Sequence, residues 1–300
     1  MKSSAATSNS TAALDRAWPA VLADLVKARL TLLVLCATGV GFYLGERGAV
    51  NGWLLFHTLL GTALVAAGAA ALNQLLERDY DARMRRTAGR PLPSGRLQPG
   101  SVAIFGGVCS VAGLACLALA VNPLASVVGA VTLISYLFIY TPLKRISWMN
   151  TLVGAIPGAL PPLLGWTAAR NELTGEGWAL FAVLAFWQLP HFMAIAWLYR
   201  EEYARAGFVM LPNVDADGSR TALHAVGNTL ALLLASLCPF LLRLDGMVYL
   251  AAALILGAAY FGCAVRFARQ MTPRRARQLF LASIIYLPLL LAVMVGDKLR

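Results

Sequence analysis

The sequence predicts an all-α, polytopic integral membrane protein with about nine transmembrane helices. Hydrophobic residues make up 59% of the chain and charged residues only 13%, whereas a soluble domain usually carries about 25% charged residues. Several apolar stretches reach the roughly 20 residues that cross a bilayer core as a helix. A transmembrane β-barrel would instead show alternating segments of about ten residues.

The predicted spans are joined by short loops, which leave no room for a separate soluble domain. They run over residues 27–45, 53–76, 100–121, 124–142, 150–168, 177–198, 222–242, 247–266 and 279–296. Residues 25–300 are therefore predicted to form one transmembrane domain. Residues 1–24 are predicted to be a disordered or interfacial segment, because they begin with a tract rich in Ser, Thr and Ala and lack the pattern of a signal peptide.

The placement of Lys and Arg predicts the orientation in the membrane. With the N-terminus in the cytoplasm, 20 of the 25 Lys and Arg residues fall on the inner side. We therefore expect a multi-pass protein of the bacterial plasma (inner) membrane, with the N-terminus inside and the C-terminus outside. The net charge of +11 is interpreted as topology signal and lipid contact rather than nucleic-acid binding, since the arginines are spread over several loops.

Two carboxylates and an amide follow the second predicted span at helical spacing. Asn73, Glu77 and Asp81 stand at positions i, i+4 and i+8, so on a helix they share one face. Oxygen ligands on one face suit a hard cation such as Mg²⁺, which takes one or two carboxylates together with substrate phosphates. Arginines downstream are candidates for bidentate contacts to the phosphate oxygens. The alternative interpretation is a charged loop that only fixes the topology.

The same stretch resembles the signature of the intramembrane prenyltransferases of the UbiA superfamily. That signature reads Asn, three residues, an acid, three residues, Asp, then Arg-Ser/Thr, two residues and Arg. The residues that fit it are Asn73, Glu77, Asp81, Arg86, Thr87, Arg90 and Gly95. The superfamily also has nine helices, and the resemblance implies that they surround a central cavity opening to the cytoplasmic side.

Four further segments look like the branch of this superfamily whose acceptor is heme B. They are residues 140–145, 154–166, 187–192 and 199–212. Two positions depart from the pattern of that branch. Glu202 stands where the branch usually carries Asp, and Val209 stands where it often has Pro, a change expected to loosen the loop.

The resemblance implies transfer of a farnesyl group from farnesyl diphosphate to a vinyl group of heme B, with water addition and Mg²⁺ as cofactor. It implies catalytic roles for Asn73, Glu77, Asp81 and Lys144, and metal binding by Asn73, Glu77, Asp81 and Glu202. It implies diphosphate contacts from Arg83, Arg86, Arg90, Lys144, Arg145 and Arg200. The candidates for heme or isoprenoid contact are His191, Gln188, Trp187, Tyr136, Tyr140, Phe192 and Tyr203.

Three of these candidates keep an alternative interpretation. Lys144 and Arg145 also fit a pair of interface cations that obey the positive-inside rule. His191 follows Pro190 in an apolar helix, so it can satisfy a backbone carbonyl that the proline frees instead of contacting or ligating heme. Asn150 is expected to orient Lys144 or a phosphate.

Other functions remain open at this point. A prenyltransferase for a quinone precursor or a chlorophyll-type acceptor would usually carry a second aspartate-rich motif, which residues 200–202 lack. An anion transporter would be expected to show an inverted repeat, and none is evident. A heme chaperone is a further alternative. The implied partners are heme B, farnesyl diphosphate, membrane lipid, and heme A synthase or terminal-oxidase assembly factors, with no nucleic acid.

Overall fold

The computed structural model describes residues 18–299, and the statements below concern that part of the chain. The expectation of disorder over residues 1–17 lies outside it, whereas Trp18–Leu25 form a short helix. Nine helices within 18–299 are long and apolar enough to cross a membrane. They are Ala28–Gly45, Gly52–Leu76, Pro99–Ala120, Pro123–Leu143, Asn150–Arg170, Gly175–Leu198, Ser219–Leu241, Met247–Arg269 and Pro273–Gly296. The predicted all-α multi-pass fold is therefore confirmed.

The largest difference from the predicted bounds is at the start of the ninth span. The sequence predicts a beginning at residue 279, but the helix begins at Pro273. Proline suits the first helical position because its missing N–H needs no partner there. Thr272 Oγ1 also accepts a hydrogen bond from the Arg275 amide at 3.3 Å, which caps the helix. The arginines expected in a loop therefore form the first turns of this span.

Short helices lie in the connections between the spans or at their ends. Those in the connections are Arg78–Asp81, Arg200–Ala206 and Leu211–Val214. The fourth span changes from an α-helix, Pro123–Ile134, to one π-helical stretch, Ser135–Tyr140, before it ends with Thr141–Leu143. The seventh span likewise ends with a short helix, Cys238–Leu241.

The fifth and sixth spans are the most buried and form the centre of the bundle. The fifth packs against the first at a distance that only glycine allows. A methyl group on Gly41 would overlap the Pro162 carbonyl, and one on Gly165 would overlap the Thr38 carbonyl. The fifth span also borders both large apolar clusters, one shared with the second to fourth spans and one with the sixth to ninth.

Residues 297–299 follow the ninth span and join parts of the bundle at the end opposite the acidic motif. We call these three residues the C-terminal clasp. The Lys298 Nζ donates to the carbonyls of Tyr43 at 2.6 Å and Glu46 at 2.5 Å, at the end of the first span. The Asp297 carboxylate accepts from the Tyr249 amide at 2.7 Å, at the start of the eighth span. Leu299 donates to the Leu244 carbonyl at 2.9 Å. The clasp therefore joins three spans.

Asp245 lies beneath the clasp and is fully buried, and neither of its carboxylate oxygens has a hydrogen-bond partner among residues 18–299. Burial, helped by the charge of Asp297 and opposed by that of Lys298, raises its pKa to about 7. The neutral form of Asp245 is therefore the one that the fold prefers.

We expect the stability of the protein to fall as the pH rises from 4 to 7, because of Asp245. A folded-state pKa above the unfolded value gives a contribution that is complete below the unfolded pKa and lost as the pH rises through the folded one. The loss is at most about 1.4 kcal/mol for each pH unit in that window. Asp245→Asn should flatten this dependence and raise the stability at pH 8, measured by thermal unfolding in detergent. An unchanged slope in the variant would contradict the assignment.

Candidate active site

The second span ends in the predicted acidic motif, and the motif is buried. Asn73 is fully buried, and Glu77 and Asp81 are only 3% and 1% exposed. The long helix breaks at Glu77, yet the Glu77 amide still donates to the Asn73 carbonyl at 3.0 Å and the Asp81 amide to the Glu77 carbonyl at 2.8 Å. The one-turn spacing between the three side chains is therefore kept through the break.

Each of these three side chains is bound by its own cation. The Lys144 Nζ donates to Glu77 Oε1 at 2.8 Å, and Arg90 Nη1 donates to Asp81 Oδ2 at 2.5 Å. The Lys27 Nζ donates to Asn73 Oδ1 at 2.7 Å. The cations come from three different places in the chain, so the motif holds together segments that are far apart in sequence.

A cavity of about 80 Å³ lies between these charges. It is small because side chains of both signs reach across it. It is lined by Lys27, Glu77, Asp81, Met84, Arg86, Thr87, Arg90, Tyr140, Lys144, Tyr203, Phe208 and Met210.

Burial and the surrounding charge act in opposite directions on the acids. Burial alone would raise the pKa of Glu77, but the charge and hydrogen bond of Lys144 together with the charges of Lys27 and Arg90 outweigh it, and the pKa lies below its ordinary value. For Asp81, burial outweighs the contact with Arg90, and the pKa is raised. Burial and the positive charges of Arg90 and Lys144 lower the pKa of Lys27 to about 7. Glu77 is therefore the more firmly ionised of the two carboxyl groups.

The six predicted diphosphate contacts fall into two groups. Arg86, Arg90 and Lys144 line the cavity. Arg83 and Arg145 instead lie over the Tyr80 ring, at 5.4 and 4.0 Å from its centroid. Arg200 lies 4.6 Å from the Trp197 ring. The structure therefore brings together three of the six predicted cations, and a diphosphate contact from Arg83, Arg145 or Arg200 stays a prediction.

The π-helical stretch of the fourth span places two tyrosine side chains next to the lysine ammonium groups of the cavity. Thr141 Oγ1 donates to the Tyr136 carbonyl five residues back at 2.8 Å and accepts from the Asn73 amide at 3.0 Å. The Lys27 Nζ donates to the Tyr136 hydroxyl at 3.3 Å, and the Lys144 Nζ lies 4.5 Å from the Tyr140 ring centroid. Both aromatic faces are thus close to cationic groups.

Tyr140 approaches the fifth span at a glycine. A methyl group on Gly154 would overlap the Tyr140 ring. The two tyrosine rings of the fourth span, those of Tyr136 and Tyr140, lie 5.7 Å apart with an angle of 31° between their planes. The position of the aromatic pair beside the charged cavity therefore depends on a residue without a side chain.

The loop after the sixth span covers the cavity. Tyr203, Phe208 and Met210 form an apolar cluster with Met84, and the Arg86 guanidinium donates to the Tyr203 hydroxyl at 3.1 Å. This cluster separates the charges from the outside of the bundle. Tyr203, predicted to contact heme or isoprenoid, is therefore a lining residue of the charged cavity.

The structure bears on two expectations about this region. The Asn150 amide donates to the carbonyls of Ser147 and Val209, each at 2.7 Å, and not to the Lys144 side chain, so of its two expected roles only a contact with a phosphate stays a prediction. Val209 does not loosen the loop, because its own amide donates to the Lys144 carbonyl at 2.8 Å, a bond that proline has no N–H to make. Both residues tie the loop to the segment between the fourth and fifth spans.

The other candidates for heme or isoprenoid contact lie deeper in the sixth span and do not line the charged cavity. The Gln188 amide donates to the Leu184 carbonyl at 3.0 Å and occupies the space left by Gly158, so it joins the sixth span to the fifth. Trp187 is stacked on His191, and Phe192 meets that imidazole edge-on. A contact between these residues and a ligand stays a prediction.

The four predicted metal ligands are not all brought together. Within the described part of the chain, no three His, Cys, Asp or Glu side chains are close enough to hold one ion. Asn73, Glu77 and Asp81 lie on successive turns, but Glu202 is not among the residues that line the cavity. One Glu202 carboxylate oxygen is buried without a partner. Its part in metal binding stays a prediction.

Sequence reasoning missed Lys27 as a residue of the site. Its position just before the first span suggested only a topology signal, yet its Nζ binds Asn73 and Tyr136 inside the cavity. Its backbone has a φ of 49° and a ψ of 53°, which is uncommon for a residue other than glycine. That turn directs the side chain inward, and nothing in the local sequence indicates it.

The fold and the cavity define a multi-pass membrane protein that holds buried acids and cations at one end of its bundle, as required to bind the polar head of a lipid-soluble ligand. The sequence matches the UbiA prenyltransferase family over residues 32–287, and the chain belongs to that family. It is 50% identical over 285 residues to the protoheme IX farnesyltransferase of Solibacter usitatus, with 92% of this chain and 97% of that protein covered.

Solved structures with much lower sequence identity share the fold. A structure of digeranylgeranylglyceryl phosphate synthase superposes with a TM-score of 0.79 at 14% identity, covering 93% of this chain and 98% of that one. A UbiA homologue from Archaeoglobus fulgidus bound to GPP and Mg²⁺ superposes with a TM-score of 0.66 at 18% identity, covering 91% and 99%. The chain therefore shares its fold with these structures.

We expect Lys144→Met to cost about 3–5 kcal/mol of unfolding free energy, because it leaves the buried Glu77 carboxylate without its nearest cation. Adding Glu77→Gln should recover most of that loss, since the charge that needed compensation is then gone. The measurement is denaturant unfolding of both variants in detergent.

Arg78→Met is the matched control for this pair. Arg78 pairs with Asp79 at 3.0 Å, but their side chains are 44% and 72% exposed, so its loss should change stability by less than about 1 kcal/mol. If the single Lys144 variant and the double variant lost the same stability, the Lys144–Glu77 pair would not be the source of the effect.

Proposed function

We propose that the chain transfers a farnesyl group from farnesyl diphosphate to a vinyl group of heme B, with addition of water, and so produces heme O and diphosphate. The observation that carries the proposal is the buried cavity at the end of a membrane bundle, where two acids face four basic side chains. Family membership and 50% identity to a protoheme IX farnesyltransferase support the choice of donor and acceptor.

The donor set at the end of the second span fits Mg²⁺. Asn73 Oδ1 and the carboxylates of Glu77 and Asp81 are hard oxygen donors on successive turns. Each of them binds a cationic side chain at 2.5–2.8 Å, so the position already suits positive charge. The relative from Archaeoglobus fulgidus bound to GPP and Mg²⁺ supports this assignment. When bound, Mg²⁺ would add positive charge to the diphosphate and make it a better leaving group.

The cations of the cavity hold the diphosphate. Arg86 and Arg90 supply planar guanidinium groups that suit bidentate contacts with phosphate oxygens, whereas Lys144 supplies a point charge. When Lys144 leaves Glu77 and Arg90 leaves Asp81 to bind the ligand, one set of ion pairs is exchanged for another. Little buried charge is then left without a partner, which keeps the cost of binding low.

The tyrosines and the apolar cover protect the allylic cation that forms as the diphosphate leaves. The Tyr140 ring already attracts the Lys144 ammonium, so the face beside it suits a positive charge. Tyr203, Phe208 and Met210 separate this space from the outside. Premature capture of the cation by water is therefore reduced.

The proposed reaction breaks one carbon–oxygen bond of the donor, forms one carbon–carbon bond to the acceptor and adds one water molecule. The bond between C1 of the farnesyl group and the diphosphate oxygen breaks, and both electrons leave with the oxygen. The π electrons of the heme vinyl group form the new carbon–carbon bond to C1. The cation left beside the macrocycle binds water, which releases one proton and becomes the hydroxyl group of the product.

The charge pattern of the protein predicts its orientation in the membrane. The cavity lies at the end of the bundle that carries the arginine-rich loop 78–96, and the positive-inside rule assigns that end to the cytoplasm of a bacterial plasma membrane. The C-terminal clasp then lies outside. Heme A synthase and terminal-oxidase assembly factors are the protein partners that this activity would serve.

A product assay tests the proposed function. Purified protein in detergent receives Mg²⁺, farnesyl diphosphate and heme B, and the hemes are then separated and weighed by mass spectrometry. We expect a new heme heavier by one farnesyl group plus one hydroxyl group, and none when Mg²⁺ is chelated. Diphosphate release only with quinone precursors would favour a different acceptor. No release with any acceptor would favour transport or heme handling instead.

Glu77→Gln and Asp81→Asn should each lower this product formation by about 100-fold or more, because electrostatic stabilisation of the leaving group is usually the largest part of catalysis. Asp79→Asn is the matched control, since the Asp79 side chain is 72% exposed and pairs with Arg78 at the surface. Initial rates are compared at equal amounts of folded protein. Activity near that of the unmodified protein in either buried variant would contradict the site.

A further inference from the structure

Ser283 in the ninth span binds two candidate ligand-contact residues of the sixth span at once. Its carbonyl accepts from the Trp187 indole N–H at 2.8 Å, and its hydroxyl meets His191 Nδ1 at 2.6 Å. Ser283 itself is fully buried. The orientation of both aromatic side chains therefore depends on one serine.

The hydrogen bonds of Ser283 fix which nitrogen of His191 carries the proton. The serine hydroxyl also lies 2.5 Å from the Phe280 carbonyl, which can only accept a hydrogen bond. A hydroxyl has one hydrogen, so Ser283 must donate it to Phe280 and accept from His191. His191 therefore carries its proton on Nδ1 and has a free electron pair on Nε2.

The rest of the environment holds the ring and leaves Nε2 available. The imidazole lies between the rings of Trp187 and Phe280, with centroid distances of 5.2 and 5.0 Å. His191 is half-buried. Within residues 18–299, its Nε2 is not one of the fully buried side-chain nitrogens that lack a hydrogen-bond partner. A neutral imidazole fixed through Nδ1–H with an open Nε2 is the arrangement of a metal-ligating histidine.

The depth of His191 suits a large acceptor. Seven residues separate it from Leu198 at the end of the sixth span, which is about 10 Å along a helix. A macrocycle centred there lies within the bilayer, beneath the charged cavity where the diphosphate end of the donor is held. Its edge can then face the reacting carbon.

We propose that Ser283 is a positioning residue for the acceptor: it holds His191 in the Nδ1–H form so that Nε2 ligates the iron of heme B. This inference rests on the proposed function. A hydroxyl partner makes the imidazole less basic than a carboxylate would, because it takes up less of the positive charge. The iron is therefore held weakly enough for the farnesylated heme to leave.

Heme binding to the purified protein tests this role without turnover. Ferric heme B is titrated into each variant, and the affinity and the Soret band are recorded. We expect His191→Ala to lose the imidazole-ligated spectrum, and Ser283→Ala to bind heme about tenfold more weakly. Ser283→Thr should restore both properties, since it keeps the hydroxyl. Unchanged affinity and spectrum in Ser283→Ala would overturn the proposal.

Ser236→Ala is the matched control. Ser236 is also fully buried, donates to a carbonyl of its own helix at 2.8 Å and bonds an aromatic hydroxyl, that of Tyr286, at 2.9 Å. Its loss should leave the heme spectrum as it is. An equal change in this variant would show that loosening the bundle, rather than the contact with His191, weakens heme binding, and would also overturn the proposal.

Nitrogen chemical shifts of histidine in the unmodified protein give a test that needs no variant at Ser283. The chain has three histidines, so His57→Gln and His224→Gln assign the signal of His191. We expect a protonated Nδ1, and a protonated Nε2 would overturn the proposal.

The two proposals fail in different ways. If the product assay succeeds while His191→Ala binds heme as the unmodified protein does, only the ligation is wrong. If the unmodified protein makes no farnesylated heme, the proposed function fails whatever the spectra show.

Discussion

Buried charge at one end of the bundle constrains the rest of the structure. An ion taken out of water without a partner costs several kcal/mol, so Glu77 and Asp81 are tolerable only where cations reach them. Those cations come from the start of the first span, the end of the fourth and the loop that follows the second. The break in the second span, the π-helical stretch and the turn at Lys27 all serve to bring these groups into contact.

The polar end and the apolar interior of the bundle differ in the kind of ligand group that each suits. The charged cavity suits a polyanionic head group, whereas the deeper region around Trp187, His191 and Ser283 is aromatic and nearly free of charge. The sixth span connects the two, because the loop that follows it covers the cavity. A donor with a charged head and an acceptor with a flat apolar body can therefore meet without sharing one set of contacts.

Much of this was predictable from sequence, because hydrophobic length and helical spacing are local properties. The nine spans and the one-face arrangement of Asn73, Glu77 and Asp81 follow from them. The partners of those residues do not, since Lys27 and Lys144 lie 46 and 67 positions away from the groups they bind. Pairing at such separations is decided by tertiary packing.

The same limit explains the errors at the edges of the site. Asn150 and Val209 act through backbone hydrogen bonds that no side-chain pattern reveals. Glu202 follows the sixth span where the family branch usually carries Asp, and its part in metal binding stays a prediction, because a pattern of residue types does not fix where the loop turns its carboxylate.

The C-terminal clasp has a consequence for the synthesis and membrane insertion of the protein. Its lysine binds carbonyls that precede it by 252 and 255 residues, so the ribosome must make all nine described spans before that contact can form. Until then the first span lacks the hydrogen bonds that join its end to the residues after the ninth span. Residues 297–299 thus complete the attachment of the first and eighth spans only after both have been made.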